Sequence, residues 1–356
     1  MRAELAEARR IVIKVGTTVV TDRGRLALGR LGGLIEQIRR LDRQVVLVSS
    51  GAVGLGAQRL GLDPRTVTDR QACAAAGQGA LMAFYDSLAR QVGVVTAQVL
   101  LTEDDFHHRR RYNNLSAALE RLLDQSALPV INENDTVSAE ALDPERRSIF
   151  GDNDRLAALV AGSLNADLLV LLTGVDGCYT SPPGSPGAQR ISVWGDDAVE
   201  FGAVSEGGTG GMQAKVAAAR VANRAGVPVV VANGFDADIL TRVLAGEDVG
   251  TLFLAGQRRT RRQNWLAFAT APRGIVTVNE GAAQAILGHG ASLLPVGVTD
   301  VRGEFDGGEV VAVMHDGRIL AHGVCARSSS GARDVLGQRE RGVLVHRDDL
   351  VLLEIA

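Results

Sequence analysis

Seven short apolar runs alternate with helix-like stretches over the first 255 residues of this 356-residue chain. The runs are rich in Val, Leu and Ile and mostly lack polar alternation, which is typical of strands buried on both faces of a parallel sheet. The pattern predicts an α/β fold, a three-layer α/β/α sandwich with a mostly parallel central sheet. The predicted strands are residues 11–15, 44–48, 94–100, 128–131, 168–172, 227–231 and 251–254. The predicted helices are residues 28–41, 66–90, 113–124, 155–164, 212–225 and 236–244.

The pattern changes after residue 255. Residues 255–263 are polar and arginine-rich, which favours a solvated linker, and a short helix is predicted over 264–270. Beyond it, short apolar runs broken by Gly and Asp turns predict a small β-rich barrel or sandwich. These runs are residues 275–278, 292–295, 309–314, 318–324 and 343–346. We therefore expect one domain at 1–257, a linker and short helix at 258–271, and a second domain at 272–356.

Composition argues against several classes of protein. A net charge of -3 and a pI near 6.1 provide no basic surface for nucleic acid or an anionic membrane. The three cysteines lie far apart without C-x-x-C spacing, so neither a disulfide framework nor a zinc site is expected. No signal peptide or membrane span is expected, because no apolar run reaches the required length. The predicted location is the cytoplasm.

Lysine usage singles out two positions. Of the 38 basic residues other than histidine, only Lys14 and Lys215 are lysines. Lys14 ends an apolar run before Gly16, and Lys215 follows the glycine-rich residues 207–211. Lysine presents a compact point charge whereas arginine presents a wide planar fork. We interpret both lysines as contacts for a phosphoryl group held against glycine backbone.

Three glycine-containing loops are expected to meet at the carboxyl ends of the strands, where open α/β sheets bind ligands. They are residues 14–18, 49–52 and 208–215, and the last leads into a helix whose N-terminus favours phosphate. The order of glycines in residues 51–56 does not match a dinucleotide fingerprint, and Val216 excludes a Walker A loop. Residues 174–211 are rich in Gly, Pro and Ser and predict a mobile segment or lid.

Two polar clusters complete the candidate site. Asn132-Glu-Asn-Asp135 follows an apolar strand, and Gly151-Asp-Asn-Asp154 opens a helix. Helix capping would explain one or two positions of the second cluster and none of the first. Carboxylates and amides at the end of a strand suit a small polar ligand that carries an ammonium group.

These residues resemble the glutamate 5-kinase family of the amino-acid kinase superfamily, and the resemblance covers nearly the whole chain in order. Residues 274–281, 292–295 and 319–323 resemble the PUA domain that many of these enzymes carry. The motifs that carry the kinase resemblance are Ile13-Lys-Val-Gly-Thr17, Ser50-Gly-Ala52, Val130-Ile-Asn-Glu-Asn-Asp135, Gly151-Asp-Asn-Asp154, Leu171-Leu-Thr-Gly174 and Gly208-Thr-Gly-Gly-Met-x-x-Lys215.

The resemblance implies ATP-dependent phosphorylation of the γ-carboxylate of L-glutamate to L-glutamyl 5-phosphate, the first step of proline biosynthesis. It implies Mg²⁺ bound with ATP, feedback inhibition by proline, and a homo-oligomer, either a dimer or a tetramer. By motif match, the catalytic residues would be Lys14, Lys215 and Asp154, the glutamate-binding residues Ser50, Asp135 and Asn153, and the ATP-binding residues Lys14, Thr173, Gly174, Thr209, Gly210, Gly211, Met212, Gln213, Ala214 and Lys215. The family usually has Asp where this chain has Gly174, so only the backbone is expected to contact the nucleotide at this position.

Two alternatives stay open at this point. Another carboxylate kinase, such as an acetylglutamate or aspartate kinase, would share the phosphate-binding loops, although an acetylated amine would not favour Asp135 beside it. An RNA-binding protein is the second alternative, because PUA-like domains bind RNA elsewhere. Residues 263–356 contain 8 arginines and no lysine against 11 acidic residues, which disfavours an RNA surface.

Overall fold

Two compact units make up the chain. The first unit comprises residues 1–105 and 110–258, and the second comprises residues 106–109 and 259–356, so Phe106–Arg109 is grouped with the C-terminal part. A computed structural model describes residues 2–22, 25–102, 104–137, 153–195, 211–256, 258, 260–269, 272–339 and 342–353.

The first unit is built on a seven-stranded sheet with the strand order β5-β6-β4-β1-β7-β8-β9. Neighbouring strands are parallel except β8 and β9, which are antiparallel. The strands of this unit, including a separate β2–β3 hairpin, are β1 (Arg10–Val15), β2 (Thr21–Asp22), β3 (Arg25–Leu26), β4 (Gln44–Ser49), β5 (Thr96–Leu101), β6 (Leu128–Glu133), β7 (Leu168–Thr173), β8 (Val229–Asn233) and β9 (Thr251–Phe253). The mostly parallel sheet confirms the predicted fold class.

Helices cover both faces of this sheet. On one face, Ile11 and Ile13 of β1 pack with apolar residues of α2, α4 and α9 in one buried cluster. Val12 points the other way, and α7 packs against β1, β4 and β7 on that face. The helices up to residue 244 are α1 (Thr17–Val20), α2 (Leu28–Leu41), α3 (Ala52–Leu60), α4 (Val67–Gln91), α5 (Asp104–His107), α6 (Arg109–Asp124), α7 (Asn153–Ser163), α8 (Met212–Arg224) and α9 (Ile239–Leu244), of which α5 ends in the second unit.

Helices α3 and α4 cross with their backbones in contact. A Cβ atom on Gly56 would lie 1.7 Å from the Cys73 carbonyl oxygen, and one on Gly77 would lie 1.9 Å from the Ala52 carbonyl oxygen. No side chain fits at either position, so the two glycines are required by this crossing. Helix α3 was not predicted, because its glycines made residues 51–56 resemble a loop.

The second unit contains a five-stranded sheet with the strand order β11-β10-β12-β13-β14. Its elements are α10 (Arg261–Asn264), β10 (Gly274–Val278), α11 (Glu280–His289), β11 (Val298–Gly303), β12 (Val310–His315), β13 (Arg318–Cys325), α12 (Ser329–Arg333) and β14 (Val345–Leu352). This confirms the β-rich C-terminal part, whereas α11 and β11 were not predicted.

The arginine-rich stretch is more structured than the predicted linker. Thr260 caps α10 through a capping box with Gln263, and a π-helical turn over Trp265–Ala269 follows. Arg262 forms an ion pair with Asp349 of β14. The guanidinium of Arg262 is thus paired with a carboxylate from a distant strand while its side chain stays 44% exposed, and the solvated linker stays a prediction.

Candidate active site

The carboxyl ends of four adjacent strands, β6, β4, β1 and β7, bring the candidate residues to one edge of the sheet. Strand register places Lys14 beside Val48 of β4 and Leu171 of β7. Gly16, two residues after Lys14, donates its backbone N–H to the Leu172 carbonyl oxygen at 3.1 Å. The turn after Lys14 is therefore fixed to the end of the neighbouring strand.

Lys14, Asp154 and Lys215 form a buried ion-pair triad. Lys14 Nζ lies 2.6 Å from Asp154 Oδ1, and Lys215 Nζ lies 2.9 Å from Asp154 Oδ2. Asp154 is fully buried, and the exposed fractions of the side chains of Lys14 and Lys215 are 3% and 9%. Buried charges are stable only when they are paired, so the carboxylate fixes both ammonium groups. Within these three residues, two ammonium groups face one carboxylate.

The N-terminus of α8 adds to this positive character. Gly211 is the N-cap residue and supplies no side-chain cap, and Met212, Gln213 and Ala214 form the first turn before Lys215. Uncapped N–H groups and the positive end of the helix dipole favour an anion here. The predicted ATP-binding residues Thr209 and Gly210 lie outside the described residues, as do residues 196–208 of the predicted lid.

A network of side-chain amides joins the ends of β4 and β6. Nδ2 of Asn153, the first residue of α7, lies 2.8 Å from the Ser49 carbonyl oxygen, 2.9 Å from Asn132 Oδ1 and 3.1 Å from Ser50 Oγ, so its two hydrogens are shared among three acceptors. Asn132 Nδ2 in turn donates to Gln78 Oε1 of α4 at 2.7 Å. The network brings together two of the predicted glutamate-binding residues, Ser50 and Asn153.

Asp135 lies half-buried in the turn after β6. Burial raises the pKa of its carboxyl group, and the nearby Arg70 guanidinium of α4 partly opposes that rise. A desolvated carboxylate gains more from a cationic ligand than one in water, because the local dielectric is lower. The binding of an ammonium group by Asp135 is compatible with this environment and stays a prediction.

Thr173 and Gly174 lie where β7 ends, in the part of the sheet next to Lys14. A Cβ atom on Gly174 would lie 3.4 Å from Thr18 Oγ1 and 3.6 Å from the Phe235 ring, which is ordinary van der Waals contact. The Phe235 ring lies under the guanidinium of Arg30, 4.6 Å from the ring centroid. The space beside Gly174 is thus bordered by an aromatic ring and a hydroxyl group.

Sequence reasoning missed Gln78 and Arg70, which both lie on α4. A single glutamine or arginine within a helical pattern carries no signal of function, and its proximity to β6 depends on how α4 packs. Among the described residues, no group of three His, Cys, Asp or Glu side chains could hold a metal ion. None of the described helices is long and apolar enough to cross a membrane.

Nearly the whole chain is similar in sequence to known proteins. Residues 9–233 match the model of the amino acid kinase family, and residues 274–346 match that of the PUA domain. A glutamate 5-kinase of Moorella thermoacetica is 42% identical over 386 aligned residues, covering 99% of this chain and 98% of that protein. A glutamate 5-kinase of Anaeromyxobacter dehalogenans is 43% identical, covering 99% of this chain and 98% of that protein.

Proposed function

Because the chain belongs to the amino acid kinase family, and within it to the glutamate 5-kinases, we propose that it transfers the γ-phosphoryl group of ATP to the γ-carboxylate of L-glutamate. The observation that carries this proposal is the Lys14–Asp154–Lys215 triad beside a cluster of acceptor groups. The triad offers positive charge for phosphoryl oxygens. Ser50, Asn153 and Asp135 offer polar contacts for an amino acid.

The chemistry needs little beyond placement and charge. A glutamate side chain has a pKa of about 4.3 in water and is already ionised at neutral pH, so no general base has to remove a proton. Phosphoryl transfer depends on alignment of the two oxygens and on neutralising the charge of the transferred group. In this proposal Lys14 and Lys215 neutralise that charge, and Asp154 holds their ammonium groups in place.

On the nucleotide side, Thr173, Gly174 and residues 209–215 bind ATP. Both oxygens of Asp154 lie against lysine ammonium groups, which is the role that this proposal assigns to the carboxylate. Mg²⁺ would be held by the phosphate oxygens of ATP, where it would supply further charge neutralisation. With Gly174, a nucleotide contact here would come from the backbone rather than from a carboxylate.

On the acceptor side, Asp135 binds the α-ammonium group of glutamate, while Ser50 and Asn153 bind its polar groups. The carboxylate of Asp135 favours glutamate over N-acetylglutamate, because acetylation removes the positive charge that a desolvated carboxylate would pair with. The same contact would serve the cationic nitrogen of proline. We extend the proposal to the first step of proline biosynthesis with inhibition by proline, in a cytoplasmic homo-oligomer.

An ATP-dependent hydroxamate assay tests the proposal directly. Acyl phosphates react with hydroxylamine, so product should form with L-glutamate and ATP and should not form with N-acetylglutamate or aspartate at equal concentration. Product with N-acetylglutamate and none with glutamate would identify a different carboxylate kinase. The absence of product with every acceptor would refute the proposal.

A further inference from the structure

Gln78 closes a chain of amide hydrogen bonds that runs from α4 to the proposed glutamate site. Asn132 lies between Gln78 and Asn153, with its Nδ2 donating to Gln78 Oε1 at 2.7 Å and its Oδ1 accepting from Asn153 Nδ2 at 2.9 Å. Asn132 Oδ1 also accepts the backbone N–H of Glu133 at 3.0 Å. Each of these donors faces an acceptor.

The chain of hydrogen bonds has one direction. An amide side chain carries two donors on nitrogen and an acceptor on oxygen, so turning one amide around would place donor against donor or acceptor against acceptor at the next. The Glu133 N–H fixes the oxygen of Asn132, so the Asn132 nitrogen is directed at Gln78 Oε1, its acceptor. The oxygen of Asn132 faces the nitrogen of Asn153, which also faces the Ser49 carbonyl oxygen and Ser50 Oγ.

The direction of the hydrogen bonds determines where the carbonyl oxygen of Asn153 points. Its Oδ1 points away from these three acceptors, and none of the described side chains or backbone groups donates a hydrogen bond to it. An outward carbonyl oxygen accepts from an N–H donor such as an α-ammonium group. Ser50 Oγ accepts from Asn153, so its own O–H proton remains to be donated to a carboxylate.

Gln78 is held at a fixed distance from this network. It directly follows Gly77, where a Cβ atom would lie 1.9 Å from the Ala52 carbonyl oxygen of α3. Helix α4 therefore contacts the backbone of α3 at the residue before Gln78, and α3 itself begins beside Ser50. The same crossing sets the positions of Gln78 and of the Ser50 loop.

We infer that Gln78 is a positioning residue for glutamate, acting through Asn132 to keep the Asn153 carbonyl oxygen turned towards the α-ammonium group. The inference rests on the proposed function, because it assigns the ligand of that site. A positioning role differs from a structural role in its effect on kinetics. Replacing Gln78 should weaken the binding of glutamate, seen as a higher KM for glutamate, and leave the KM for ATP unchanged.

Steady-state kinetics on the full chain test the inference with two substitutions at one position. Gln78→Met keeps the length of the side chain and removes the acceptor, whereas Gln78→Glu keeps an acceptor facing Asn132. We expect Gln78→Met to raise the KM for glutamate about three- to tenfold, with the KM for ATP and kcat within about twofold of wild type. In Gln78→Glu, the KM for glutamate should be close to the wild-type value. Gln91→Met, at the exposed end of the same helix, is the matched control.

The outcomes separate the inference from the proposed function. Glutamate turnover in the unsubstituted chain together with a wild-type KM in Gln78→Met overturns the inference and leaves the function intact. An equal rise in the KM for ATP, or an equal KM in the Met and Glu variants, overturns it as well. No turnover of glutamate by the unsubstituted chain overturns both. If the Met variant does not fold, Gln78→Ala takes its place under the same criteria.

Discussion

Replacing Asp154 by asparagine should destabilise the protein strongly while changing its shape very little. Asp154→Asn removes the charge that holds two buried ammonium groups at 2.6 and 2.9 Å. Removing one partner of a buried ion pair costs about 3–5 kcal/mol, and here two buried ammonium groups lose the carboxylate that lies between them. For a domain of this size, each kcal/mol lowers Tm by about 2–4 °C, so we expect a fall of about 6–20 °C.

Thermal unfolding followed by calorimetry or circular dichroism measures this change. Asp63→Asn is the control, because Asp63 also pairs with a basic residue at 2.7 Å but its side chain is 70% exposed. That pair is screened by water, and no resolvable change in Tm is expected. ATP should raise Tm more in Asp154→Asn than in wild type, because its phosphates compensate the two lysines. A Tm for Asp154→Asn equal to that of the control would refute the reasoning.

Three further predictions follow from the same geometry. Lys14→Arg and Lys215→Arg should each lower kcat by about 10²–10³, since the charge is kept but misplaced, and a variant with more than half of wild-type kcat would contradict that role. Because burial raises the pKa of Asp135, the KM for glutamate should rise as pH falls through that pKa, where the carboxylate becomes protonated. Asp135→Asn should raise this KM at neutral pH and remove its acid dependence, and an effect on the KM for ATP alone would argue against the assignment. Gly56→Ala should cost about 3 kcal/mol of unfolding free energy or more, whereas Gly54→Ala, with no atom within 4 Å of its Cβ position, should be neutral or stabilising; equal stabilities would disprove the tight crossing.

Much of the fold was readable from local pattern. The seven strands of the large sheet were all predicted, because strands buried on both faces leave unbroken apolar runs such as Val45–Val48. Two members of the triad, Lys14 and Lys215, were singled out because they are the only lysines in a chain that otherwise uses arginine. Both signals lie within a few neighbouring residues.

The features that escaped prediction depend on residues far apart in the chain. Helix α3 contains Gly54 and Gly56, which local propensity counts against a helix, and only the close approach of α4 explains Gly56. Gln78 lies 54 positions from Asn132, so no spacing rule relates them. In the tail, β11 was missed because its alternation is interrupted by polar residues on an exposed edge strand.

The strand order of the large sheet has a consequence for how such an enzyme could change its specificity. β1 lies in the middle, with β4 and β6 on one side and β7 and β8 on the other. In the proposed function the loops after β4 and β6 bind the acceptor, those after β7 and before α8 bind the nucleotide, and Lys14 on β1 serves both. In this proposal the acceptor and the phosphoryl donor therefore bind to loops from separate halves of the sheet. Substitutions in one half can exchange the molecule that is phosphorylated while the other half keeps the nucleotide.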